Sequence, residues 1–185
     1  MSSTMRVWLI LLSTMLASPA VAQGFKGDVH VGLDSISSDG ESQEGVTYGL
    51  SLSYDLQQPR TVLGVQVDLD ATDNQSCESD VIVTSDRVCI AGKRDNAISL
   101  RLGGKLGNDA MIVGTIGYAN GRFEASYAGA GINTSTHETL DGVRVGIGLQ
   151  VDVRRMLYAQ AAYRYTNYEQ GVSRNQAIVG LGLKF

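Results

Sequence analysis

The sequence predicts an all-β chain, an eight-stranded antiparallel transmembrane β-barrel joined as an up-and-down meander. Three observations carry this. Eight segments of about ten residues alternate apolar with polar or small side chains, a period of two that belongs to strands. The connections between these segments are alternately short and long. After residue 22 no apolar run is long enough for a spanning helix. A chain of this kind crosses lipid only by closing a barrel, which leaves no backbone group unpaired.

The segments fall at residues 25–36, 45–55, 61–71, 96–106, 110–119, 143–151, 157–165 and 175–185. In the first, Phe25, Gly27, Val29, Val31 and Leu33 oppose Lys26, Asp28, His30, Gly32 and Asp34. The third sets Leu63, Val65, Val67 and Leu69 against Gly64, Gln66, Asp68 and Asp70, and the sixth sets Val145, Ile147 and Leu149 against Arg144, Gly146, Gly148 and Gln150. The fifth is the least regular, because Met111 and Val113 stand on its polar side. Connections 56–60, 107–109 and 152–156 are short; 37–44, 72–95, 120–141 and 167–174 are longer and are expected to be loops.

Residues 1–22 read as a secretory signal peptide that is cleaved, leaving 23–185 as one barrel domain. Arg6 supplies the positive region, an apolar run begins at Val7, and Ala20-Val21-Ala22 is a small-x-small cleavage site. The chain has 22 glycines, 2 prolines and a net charge of −4, which excludes collagen-like and disordered classes and gives no electrostatic footprint for nucleic acid. Mean hydropathy is −0.02, as expected where lipid-facing and lumen-facing residues cancel.

A soluble barrel of the lipocalin type alternates in the same way. Two features speak against it. The polar face is rich in Gly, Ser, Ala and Thr, which suits a narrow lumen. With odd strands running outward, Phe25, Tyr54 and Phe185 gather at one edge, while Tyr48, Tyr118, Tyr163 and Tyr165 gather at the other. Two such bands are the aromatic girdles of a membrane barrel.

The last segment ends on Phe185 after Ala177, Val179, Leu181 and Leu183 alternate with Ile178, Gly180, Gly182 and Lys184. This resembles the closing strand of bacterial outer-membrane β-barrels. The whole of 23–185 resembles the small eight-stranded barrels of that family: the transmembrane domain of OmpA, OmpX, and the Ail/Lom and opacity-type adhesins. The resemblance implies the cell outer membrane of a Gram-negative bacterium, contact with its lipid, and assembly by the barrel-insertion machinery through Phe185 and its strand. It implies short turns in the periplasm, long loops outside, and an envelope-structural or surface-interaction role with a possible surface partner on those loops.

Chemistry inside the barrel is expected to be structural. Lys26, Arg101, Lys105, Arg144, Arg164 and Lys184 share the inward face with Asp28, Asp34, Asp55, Asp68, Asp70 and Asp152. Eight strands enclose a lumen that side chains fill, and buried charges must pair. An ion-pair plug is the reading, with Asp68 and Asp70 as partners of Arg101; a small porin passing ions or small solutes is the alternative. A lipid A-modifying enzyme is a second alternative, but His30 and His137 form no recognisable triad and no cofactor or metal motif appears. Cys77 and Cys89 lie in one long connection and, in an oxidising compartment, are expected to form a disulfide.

Overall fold

The computed structural model describes residues 24–38, 41–57, 59–79, 87–129 and 132–185. The leader-like stretch 1–22 lies outside the described residues. Nine strands follow in chain order: β1 (Phe25–Ser38), β2 (Glu41–Gln57), β3 (Thr61–Thr72), β4 (Gln75–Ser79), β5 (Arg87–Leu106), β6 (Ala110–Gly129), β7 (Ile132–Asp152), β8 (Leu157–Tyr168) and β9 (Ser173–Lys184). Their order is β3-β2-β1-β9-β8-β7-β6-β5-β4, and β3 also pairs with β5. The result is a closed antiparallel ring of eight, with β4 prolonging β3 beside the outer end of β5. The ring closes between β1 and β9, in register from Lys26↔Lys184 to Ser37↔Ser173.

Alternation of side chains decides which face is which. Along β3 every second residue is buried from Val62 to Thr72, and those between are exposed from Thr61 to Leu69. The exposed set around the barrel is apolar: Leu33 is 71% exposed, Leu102 58% and Val179 58%. Polar and charged side chains, including Lys26, Asp68, Arg101 and Arg144, are buried inside. The barrel is inside-out relative to a soluble one, and the exposed belt is stable only against hydrocarbon.

Three of the four long connections are largely strand, which corrects the expectation of loops. β5 and β6 have 20 residues each and β7 has 21. At about 3.3 Å per residue and a tilt near 40°, such strands rise roughly 50 Å, about twice the height of the apolar band. The outer halves of β5, β6 and β7, with β4, therefore form a sheet that stands clear of the barrel. Residues 134–139 of β7 are all exposed there. The reason for the discrepancy is physical: above the membrane both faces of a strand are wet, so the apolar alternation that marks a strand disappears while its pairing persists. The fourth connection holds a single 3-10 turn, Glu169–Gly171, whose last two residues, Gln170 and Gly171, have positive φ.

Two apolar clusters sit inside the lumen. Val62, Met111 and Val113 pack together near one end, which explains why Met111 and Val113 interrupt the polar face of β6. Ala97, Ala119, Leu140 and Tyr168, backed by Phe123 and Val172, pack near the other. Gly182 makes room for Tyr158: a Cβ there would stand 2.3 Å from the phenol Cζ.

Candidate functional site

The inward-pointing charges meet in one network between the two apolar clusters. At its lower end Lys26 Nζ is 2.8 Å from Asp55, and Nε of Arg101 is 3.1 Å from the same carboxylate. Arg101 also donates through Nη1 to Gln66 and through Nη2 to Gln150, each at 2.8 Å. Lys184 pairs with Asp152 at the rim.

Mid-lumen, Arg164 spans the barrel from β8 to β3, with Nη2 3.0 Å from Asp68 and Nη1 3.1 Å from Asp70. His30 lies between β1 and β3, its Nε2 2.8 Å from Asp70 and its Nδ1 3.2 Å from Asp28. Asp28 also accepts from the Tyr158 hydroxyl at 3.0 Å and the Gln160 amide at 2.6 Å. Higher still, Arg144 pairs with Asp95 and lies 3.7 Å from Asp70, while its Nε donates to Thr166 at 2.9 Å. Arg174 joins Asp95 at 3.0 Å and holds Asp34 through Nε at 2.8 Å. The Tyr168 hydroxyl donates to Asp95 at 2.8 Å. Asp70 and Asp95 are the bridging carboxylates, each shared by two arginines.

Most of the expected inward charges take part, but not in the expected pairs. Arg101 meets Asp55 and two glutamines; Asp68 and Asp70 go to Arg164 instead. Barrel shear causes this, since tilted strands bring residues of unequal sequence height to one level. Lys105 is a correction: it is exposed at the rim and makes no ion pair among the described residues. Arg174 and Asp95 were missed because both fell in stretches read as loops. Continuing the inward parity of β9 from Gln176 to Arg174, and of β5 from Ser99 to Asp95, finds both.

Of the expected girdle residues, Phe25, Tyr48, Tyr118, Tyr163, Tyr165 and Phe185 are exposed on the outer face, and Tyr54 is half-buried. Phe25 and Phe185 form a tilted ring pair at 6.3 Å where β1 meets the end of β9, and the Phe185 amide donates to the Phe25 carbonyl at 2.9 Å. At the other edge Tyr118 donates to Asp141 at 2.5 Å and Asn120 to the same oxygen at 2.7 Å. Those two hydrogen bonds hold the Asp141 carboxyl below the usual carboxylate range. In the protruding sheet, Cys77 of β4 stands directly opposite Cys89 of β5. Among the described residues, no cluster of His, Cys, Asp and Glu is arranged to hold a metal ion.

Three solved barrels share this architecture. Ail of Yersinia pestis, seen with a heparin analogue, superposes with a TM-score of 0.60 at 13% identity, over 88% of this chain and 99% of its own. Neisserial surface protein A gives 0.58 at 18% identity, over 88% and 97%. OprG of Pseudomonas aeruginosa gives 0.53 at 11%, over 88% and 97%. At these identities the likeness is one of fold. No curated protein matches the chain in sequence. The outer membrane protein beta-barrel domain model, however, matches residues 8–185, and the chain belongs to that family, a β-barrel of the outer membrane.

Proposed function

We propose that this barrel is a closed, non-catalytic scaffold that presents the protruding β4–β7 sheet at the cell surface. The observation that carries the reading is the lumen network. Every barrel strand except β6 contributes a charged or imidazole side chain to it among the described residues. Beside Arg101 and Arg164 the side chains leave about 30 Å³, room for about one water, and about 90 Å³ remains at the mouth lined by Lys26, Asp152 and Lys184. Such a lumen offers ions no continuous aqueous path. The orientation that fits is long hairpins outside and the short turns, with Phe25 and Phe185, facing the periplasm.

The exposed sheet supports the surface role. It continues the strands of the barrel without a break, and among the described residues its outer β7 edge, residues 132–141, pairs with no strand on the β8 side. Loops and edges on a rigid scaffold are where recognition concentrates. The same reading includes export by the leader 1–22, a Cys77–Cys89 disulfide bracing the sheet, and assembly through the closing strand and Phe185.

Single-channel recording in planar bilayers tests the closed lumen. The expected trace is silent, with openings emerging in an Asp70→Asn/Asp95→Asn variant. Steady openings from the unaltered chain would assign it to the small-porin alternative instead. Mass shifts of lipid A on expression would assign it to the enzymatic one.

A further inference from the structure

The register of the protruding sheet places like charges face to face. Arg94 of β5 is the direct partner of Arg122 of β6, and a bulge between Gly92 and Arg94 leaves Lys93 as the extra residue. At such a bulge two residues of one strand oppose one of the other, so Lys93 and Arg94 share the side of Arg122. That side is the outer one. Arg94 keeps the parity of Ile98, and Arg122 that of Tyr118, both exposed on the lipid-facing surface. Like charges directly opposite each other destabilise a sheet unless something lies between them.

The chain neutralises them only in part: of the three cations, Lys93 alone makes an ion pair among the described residues. Lys93 reaches Glu124 at 3.3 Å. Among the described residues, Arg94 and Arg122 make no ion pair. By register two other carboxylates stand one outward-facing row away: Asp141 on β7, nearer the membrane and engaged by Tyr118 and Asn120, and Asp73, two residues beyond Ala71 on the hairpin side of Arg94, exposed and without an ion pair among the described residues. The neighbours flanking the arginines are small: Ala71 opposite Arg94, and the Thr139 hydroxyl opposite Arg122.

Height identifies the ligand. Four residues separate Arg122 from Tyr118, which lifts the arginines roughly 10 Å above the Tyr118 ring, with Asn96 and Asn120 as the row between. That is the level of the headgroups above the hydrocarbon layer. We infer that Lys93, Arg94 and Arg122 form a binding site for the phosphate groups of outer-leaflet lipid, held against the side of the protruding sheet. Two guanidinium forks set side by side offer charge-assisted, two-point contacts to phosphate oxygens. A soluble polyanion fits the position less well, because the cations face sideways into the leaflet and not towards the hairpin tips.

The inference rests on the orientation proposed above, and its test separates the two. The full chain, refolded in detergent micelles, is titrated with bisphosphorylated lipid A, dephosphorylated lipid A and phosphatidylcholine, with adducts read by native mass spectrometry. The variant is Arg94→Gln/Arg122→Gln. The control, Arg154→Gln/Arg155→Gln, removes the same charge from the turn between β7 and β8. The expected result is a preference for the bisphosphorylated lipid that falls about tenfold or more in the first variant and is unchanged in the second. Equal binding of all three lipids, or no change in either variant, overturns the site. Loss in the control alone overturns the orientation and the site with it. Heparin is titrated alongside as a soluble polyanion, and loss of its binding in the first variant, with lipid binding intact, overturns the lipid assignment.

Discussion

Arg174 of β9 grips Asp34 of β1 at two points, Nε to Oδ1 at 2.8 Å and Nη2 to Oδ2 at 2.5 Å, beside the seam where the barrel closes. The same guanidinium reaches Asp95 of β5 at 3.0 Å through Nη1. One side chain thus ties the closing strands to the far wall.

Arg174→Ala removes that tie and strands two buried carboxylates. Asp34 retains Thr72 at 2.8 Å and Asn74 at 2.9 Å, and Asp95 retains Arg144 and Tyr168, so the chain still closes. Breaking a buried pair from one side costs about 3–5 kcal/mol. Urea unfolding in micelles is expected to show a loss of that order, with part of it recovered in Arg174→Ala/Asp34→Asn. An Arg174→Ala barrel as stable as the parent would mean that the network contributes nothing to closure.

Gly182 predicts a steric coupling across β8 and β9. The two residues are register partners, and the phenol of Tyr158 lies where a Cβ on Gly182 would be. Gly182→Ala forces the ring to move, and with it the hydroxyl that donates to Asp28. Overpacking of this kind costs about 1–3 kcal/mol. The cost is expected to shrink in a Tyr158→Leu background, which a double-mutant cycle measures. Additive effects would contradict the coupling.

The Cys77–Cys89 register predicts a cross-link that braces the sheet and leaves the barrel alone. Chain entropy alone assigns the closed loop about 3 kcal/mol. Both cysteines belong to the protruding sheet, however, and β4 touches the ring mainly through β5. Non-reducing mass spectrometry is expected to find the chain two hydrogens lighter than its thiol form. Reduction is expected to speed proteolysis between β4 and β5 without moving the unfolding midpoint. A midpoint that shifts with reduction would place the bond in the barrel's own stability.

The barrel itself was legible because hydrocarbon imposes a strict rule on every strand that crosses it. Val145, Ile147 and Leu149 have no alternative to facing out once Arg144 and Gln150 face in. The protruding sheet was not legible, because residues such as Thr134, Ser135 and Thr136 are polar on both faces and water accepts either. Individual ion pairs were out of reach for another reason. Parity says that Arg101 and Asp68 point inward, but strand shear decides that Arg101 meets Asp55 and that Arg164 takes Asp68. Arg174 and Asp95 are hidden for the first reason, since each lies one residue outside a segment of regular alternation, 175–185 and 96–106.

Phe185 separates stability from assembly. The residue is 55% exposed; its ring pairs with that of Phe25 at 6.3 Å, and its amide donates one backbone hydrogen bond to the Phe25 carbonyl. An aromatic pair of this kind contributes about 0.5–1.5 kcal/mol. Phe185→Asp is therefore expected to unfold in micelles within about 1.5 kcal/mol of the parent. If the closing strand and Phe185 are read by the insertion machinery, the same variant loses most of its outer-membrane level in cells and accumulates in the periplasm. Fractionation alongside equilibrium unfolding tells the two apart. A variant that reaches normal surface levels would remove the assembly role. One that fails in both measurements would make Phe185 a structural residue, and its exposure would then need another explanation.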